Sequence, residues 1–400
     1  MQHLHQSTVA SDRLRRTLLA PVVLGLSALT SSLPARALTT DPLPFLLLTT
    51  VDVVATPETV YLAAMAGPKT WQTLIDIGAP FMSPFAEPFR QFALNPAPVL
   101  KPVATPPQPM ATTWPVSYTQ VISFGDSMSD TGNLFKVTKD ISGVGFPTAP
   151  NDRGRFADGQ VIVEAMSNNL SLPLLNYAFG GGQSGYGNLL PLRAWQKGMR
   201  SQVDDFLANL GYFWKRADSQ ALYVLWTGPD DFYWGNNIYL KSTVTAVTAN
   251  VQASMTALYK RGARHFFVPE MPDLSITPSA KIHAKLQRTY MTDAKARSAE
   301  LAASLNAMLR AFAKQYPDAT VRTFNTYTYS QERMAQAAAE GYDVTTPCYT
   351  PAYMGLPGDV CADPSRHLFW DTNHPTQAGA LVIGAAFAEA VAQGAPLPNR

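Results

Sequence analysis

From Tyr118 onward, short apolar runs alternate with longer stretches whose apolar residues recur every three or four positions. The short runs predict buried strands and the periodic stretches predict amphipathic helices. Strand candidates are Gln120–Phe124, Leu174–Phe179, Ala221–Thr227, His265–Pro269 and Thr320–Phe324. The clearest helical stretch is Lys285–Lys314, where Leu286, Tyr290, Leu301, Leu305 and Leu309 fall on or near one face. A last helix is expected from Thr376 to Val391. Five strands separated by helices predict a three-layer α/β/α fold around a mostly parallel five-stranded sheet. No internal repeat is visible.

In such sheets, ligands sit beyond the carboxyl ends of the strands. Ser127 lies just past the first candidate strand, Gly181 just past the second and Asp230 just past the third. Three polar or glycine-rich segments are therefore expected to converge on one edge.

Residues 38–117 break the pattern. They hold apolar patches such as "LPFLLLTTVDVVA" and the proline-rich run "NPAPVLKPVATPPQPMATTWP". This composition predicts an N-terminal extension ending in a linker, with residues 118–400 as the main domain. Residues 1–37 resemble an export signal. Arg13, Arg15 and Arg16 precede an apolar stretch from about Leu18 to Leu29, and Ala35 and Ala37 form an A-x-A cleavage site. The apolar stretch is short for a membrane span, and a retained anchor is the alternative. The expected location is the periplasm or the external medium.

Composition adds limits. With 46% hydrophobic and 15% charged residues, the chain can bury a sizeable core and is not disordered. The formal net charge is +2, and residues 1–37 contribute +3 through four Arg against one Asp, which leaves −1 on the remainder. No global basic field would therefore draw the exported chain to nucleic acid. Cys348 and Cys361 are the two cysteines. In an oxidising compartment they predict one disulfide, stabilising by about 3 kcal/mol through closure of a short loop. Two Cys without a nearby His pair argue against zinc.

The chemistry centres on "VISFGDSMSDTGN", residues 121–133. Ser127 becomes a nucleophile only if a base can take its proton. Of the His residues beyond position 37, His265 starts a strand and His283 starts a helix, which suits structural roles. In "FWDTNHPTQAG", Asp371 and His374 are three apart in a turn before a helix. Such a turn can hold the carboxylate against one imidazole nitrogen and leave the other free.

The ordered blocks "GDSMSDTGN", "GRFADG", "NYAFGGG", "WTGPDDF", "PDLSITP" and "FWDTNHPT" resemble the GDSL, or SGNH-hydrolase, family of lipolytic esterases. Within it, the chain is similar to the secreted bacterial phospholipases and glycerophospholipid–cholesterol acyltransferases, over about residues 118–392. The resemblance implies a flavodoxin-like fold and Ser127, His374 and Asp371 as nucleophile, base and orienting acid. It implies an oxyanion hole made by the Ser127 N–H, a glycine N–H and an Asn amide. The glycine maps to Gly181, five after Asn176, with Gly180 and Gly182 as alternatives. No metal or organic cofactor is implied. The G-x-S-x-G elbow of α/β-hydrolases is missing. The run "GGGQSG" at 180–185 also fits a dinucleotide fingerprint, but Pro191 interrupts the helix that fingerprint requires.

One position departs from the family. Where the third block has G-x-N-D, this chain has "GPDD", so Asp230 stands in place of the amide. An ionised carboxylate would repel an oxyanion, and losing one donor costs about 10²–10³ in turnover. Three readings are open: Asp230 is neutral and donates; the backbone donors suffice or Asn236 or Asn237 substitutes; or the chain is a poor enzyme that binds lipid. A milder departure is "EMPDL", whose Glu270 and Asp273 suit a solvated strand end or a polar loop near the site.

The expected substrate is a lipid ester, with contact at a membrane surface and release of the acyl group to water or an alcohol such as a sterol. A carbohydrate or small ester is the other substrate class. The aromatics of "DDFYWGNNIYL" suit an acyl groove or core packing. The loop between Cys348 and Cys361 suits a lid or a brace for the catalytic turn.

Overall fold

The computed structural model describes residues 99–397, except 111–112, 115, 190–196, 213–214, 234, 236, 351–357 and 395–396. The expected export signal and most of the extension lie outside the described residues.

In chain order the elements are β1 (Val103–Thr105), β2 (Val121–Gly125), α1 (Asn133–Ser142), α2 (Ile162–Asn169), β3 (Leu174–Asn176), α3 (Met199–Asn209), β4 (Leu222–Trp226) and α4 (Pro229–Tyr233). There follow α5 (Lys241–Lys260), β5 (His265–Phe267), α6 (Pro278–Leu286), α7 (Tyr290–Gln315), β6 (Thr320–Arg322), α8 (Thr326–Ala339), β7 (Tyr349–Thr350), β8 (Asp359–Val360) and α9 (Gln377–Gln393). The main sheet runs β1-β3-β2-β4-β5-β6. All five expected strands are present and mutually parallel.

The sixth strand corrects the expected count. β1 comes from the proline-rich segment and pairs antiparallel with β3, Val103 opposite Asn176. Three residues between Pro102 and Pro106 can still pair at an edge, where proline is tolerated. Backbone N–H groups of Leu100 and Val103 donate to Asp205 and Asn133, so this segment packs on the domain rather than hanging from it. A second difference lies in the expected helix from Lys285. Gln287 adopts φ −123°, ψ 95°, which ends α6 before α7 begins. The last helix starts where expected, with Thr376 capping the N–H of Gly379.

Strand alternation builds two cores. Ile122, Phe124, Tyr223, Leu225 and Phe266 face one side, with α3, α5 and α7. Val121, Leu222, Val224, Trp226 and Phe267 face the other, with α2 and α9. Phe124 packs between Tyr177 and Phe206 at ring distances of 5.6 and 5.7 Å. Burying each such side chain contributes about 1.5–3 kcal/mol. Because β2 is covered on both faces and flanked by β3 and β4, the loop leaving it starts from the stiffest part of the sheet.

Candidate active site

β2 ends at Gly125, where a Cβ would run into the Trp226 carbonyl of the neighbouring strand. The Gln202 amide clamps this glycine, accepting its N–H at 2.8 Å and donating to its carbonyl at 2.7 Å. The chain then turns over Asp126, whose carboxylate accepts the Met128 N–H and whose carbonyl accepts those of Ser129 and Asp130. Ser127 sits at the crest, half-buried.

The turn at 371–376 is built separately. Asp371 Oδ1 accepts the backbone N–H groups of Asn373 and His374, both at 2.8 Å, as Asp does in a turn of this kind. The His374 carbonyl accepts from Trp370, and Thr372 accepts from Ser279 at the start of α6. These bonds aim the imidazole. His374 Nδ1 lies 2.7 Å from Asp371 Oδ2, and Nε2 lies 2.7 Å from Ser127 Oγ. Burial pushes the Asp371 carboxyl up, but the His374 charge and hydrogen bonds outweigh it and hold the group below its ordinary value.

Sequence reasoning gave the "GRFADG" block no role. Arg155 forms a two-point ion pair with Glu164, and the next residue, Phe156, lies against His374 at 5.1 Å between rings. Asp158 accepts the Gln377 N–H at the start of α9. The block thus holds the imidazole from behind. With Met128, Ala157, Val161, Ile162 and Ala380, Phe156 lines a small apolar indentation of about 10 Å³ beside Ser127 and His374.

The glycine loop after β3 is tied to the nucleophile loop through Asp130. Its carboxylate accepts the N–H groups of Gly132, Asn133, Leu134 and Gly180. Gly182 donates to the Phe179 carbonyl. Gly181 has φ 75°, the left-handed region that glycine favours. Among the described residues, Gly181 is the one member of this triplet whose N–H is not spent in the loop. Among the described residues no helix follows the run until Met199, whereas a dinucleotide loop opens directly into one.

Asp230 opens α4, in the loop of the strand next to β2. It is 5% exposed, and its Oδ2 has no hydrogen-bond partner. Burial, then the nearby Asp126 and Asp231 carboxyls, push its proton affinity well above the ordinary carboxylate range. Asp231 is occupied by the N–H and hydroxyl of Ser184. The Asn237 amide donates to the Asp231 carbonyl, so it does not replace the missing amide. Asn236 lies outside the described residues.

The fold also places three peripheral features. Glu270 and Asp273 are buried rather than solvated: Glu270 accepts from Asn306, and Asp273 caps Ser275 and accepts from Gln331. Phe232 belongs to the core and Tyr239 packs on Tyr290, so these aromatics of the 230–240 segment are packing residues. Cys348 and Cys361 are disulfide-bonded. N–H groups of Cys348 and Tyr349 donate to the carbonyls of Phe369 and Trp370, directly before Asp371, which makes this end of the loop a brace. Its interior, where a lid would be, lies outside the described residues.

The chain is similar to several known proteins. The thermolabile hemolysin of Vibrio parahaemolyticus is 27% identical over 282 residues, covering 66% of this chain and 62% of the hemolysin. The chain thus spans somewhat less than two thirds of that relative. A GDSL esterase/lipase of Arabidopsis thaliana is 24% identical over 310 residues, covering 63% of this chain and 82% of its own. A protein of the same plant named inactive GDSL esterase/lipase-like protein 25 is 23% identical over 304 residues, covering 67% and 71%. Residues 121–387 match the family described as GDSL-like Lipase/Acylhydrolase. That span is well over half of the chain and contains every loop described above, so the chain belongs to the GDSL lipase/acylhydrolase family of ester hydrolases.

Proposed function

We propose that the chain is an exported serine esterase that cleaves lipid esters through an acyl-enzyme. The carrying observation is the continuous hydrogen-bonded line from Ser127 Oγ through His374 to Asp371. His374 Nε2 takes the Ser127 proton as Oγ bonds to the ester carbonyl carbon. Asp371 keeps the imidazole in the required tautomer and balances the imidazolium. The carbonyl oxygen becomes an oxyanion, held by the N–H groups of Ser127 and Gly181. Asp230, neutral because of its burial beside two other carboxyls, donates its O–H in place of the missing amide. Collapse expels the alcohol, which takes its proton from His374. Water, activated by the same imidazole, then releases the fatty acid; an alcohol such as a sterol would accept the acyl group instead.

The side chains around Ser127 at the indentation are mostly apolar, which suits an acyl chain better than a sugar. A second reading rests on Asp230: an ionised side chain there would leave a lipid-binding protein with little turnover. A fluorophosphonate probe separates the two. The esterase reading expects stoichiometric labelling of Ser127 that disappears in His374→Ala. Labelling at another residue, or none in folded protein, would contradict it.

A further inference from the structure

Ten large hydrophobic side chains are exposed among the described residues, and four gather around α6: Leu240 (46%), Ile282 (41%), Leu286 (48%) and Met291 (39%). Ile282 and Leu286 are one helical turn apart on α6 and share a face. The Tyr239 hydroxyl donates to Gln287, and Tyr239 packs on Tyr290, whose ring stacks on His283 at 4.7 Å. Leu240 and Met291, next in sequence to Tyr239 and Tyr290, are thereby drawn to the same surface. Exposed Lys241, Lys285 and Arg288 and half-buried Lys281 lie among these residues. None of the four forms an ion pair among the described residues. Between positions 277 and 296 the sole acid is Asp293. The patch is cationic although residues 38–400 carry a formal −1.

We propose that this face docks on a membrane surface rich in anionic phospholipid. Long basic stems beside aliphatic side chains suit a headgroup boundary, where the stems lie on apolar surface and the charges meet phosphates. A protein partner fits less well, because the cores of protein interfaces are depleted in Lys. The location serves the reaction: Ser279, in the first turn of α6, bonds to Thr372 of the catalytic turn. At 1.5 Å per residue, Leu286 is about 11 Å further along the axis. The inference rests on the lipid-ester reading, since docking would bring the site to its substrate.

The test uses the full chain carrying Ser127→Ala, which cannot digest its target, with vesicles of phosphatidylcholine alone or mixed with phosphatidylglycerol. Cosedimentation should favour the anionic vesicles and weaken with added salt. Ile282→Glu/Leu286→Glu and Lys285→Glu/Arg288→Glu should each lower partitioning at least about tenfold. With Ser127 restored, both double variants should hydrolyse soluble p-nitrophenyl butyrate within about twofold of the parent, as surface changes do. Equal binding to both vesicle types, or binding that neither double variant weakens, would overturn the proposal; the latter would point to residues 38–98 or another face. Vesicle binding without any ester hydrolysis by the Ser127 chain would uphold the docking surface and refute the esterase reading.

Discussion

Ser127 and His374 are 247 positions apart in sequence, and their Oγ and Nε2 atoms stand 2.7 Å apart. The separation is bridged by two rigid supports: β2 at the centre of the sheet carries the serine, and α9, packed on α2, carries the turn of the histidine. A hydrogen bond of this length is what proton transfer to the imidazole requires.

Asp371 acts through that imidazole. Asp371→Asn preserves side-chain size but favours the wrong tautomer, so kcat should fall by about 10³–10⁴. The Asp371 proton affinity is lowered in the folded state, so its contribution to stability is present above the ordinary carboxylate value and lost as pH falls through the lowered one. Urea titrations should therefore find Asp371→Asn and the parent converging at acid pH. A variant that loses stability equally at all pH values would contradict that linkage.

Asp230 should set an alkaline limit. Its proton is available for donation only below its raised folded value, so turnover should fall as pH rises through it. Asp230→Asn donates at every pH, and its kcat profile should lose that alkaline limb. Asp230→Ala should cost about 10²–10³ in kcat. Superimposable profiles for the parent and Asp230→Asn would remove Asp230 from the oxyanion hole.

The buried acids should also tilt overall stability. Burial, against opposing hydrogen bonds, pushes Asp126 up to about 7 and Asp231 up to about 6. Groups raised in the folded state contribute stability that is full below their unfolded values, near 4, and lost as pH rises through the folded ones. Free energies of unfolding from urea titrations should therefore decline from about pH 4 to about pH 7. Asp231→Asn should shrink the decline, and a slope unchanged by that substitution would contradict the assignment.

What the sequence made legible was local. Hydrophobic runs located the five parallel strands because buried strands need little from distant residues. Asp371 and His374 could be paired because their turn closes within four residues. The resemblance pointed to Gly181 with Gly180 and Gly182 as alternatives; what was not legible is that Asp130, fifty positions away, takes the Gly180 N–H. The packing of Phe156 on His374 likewise needed the fold. β1 was hidden by its flanking prolines, and the break at Gln287 by an apolar period that continues across it.

The disulfide ties together the base of the loop whose N–H groups hold the segment leading into Asp371. Reduction should cost about 3 kcal/mol of stability, and it should lower kcat more than KM because the brace positions the base rather than the substrate. Thermal unfolding and ester kinetics with and without dithiothreitol test both. Equal free-thiol counts before and after reduction would mean that the bridge is not formed.

Ser127, with Asp230 in the place of an amide, is proposed to turn over lipid esters. This is tested most directly by hydrolysis of p-nitrophenyl esters of increasing acyl length by the full chain, with Ser127→Ala as the control. Hydrolysis should vanish in the variant and rise from acetyl towards longer acyl chains. Activity unaffected by Ser127→Ala, or none at all in folded protein, would contradict that proposal.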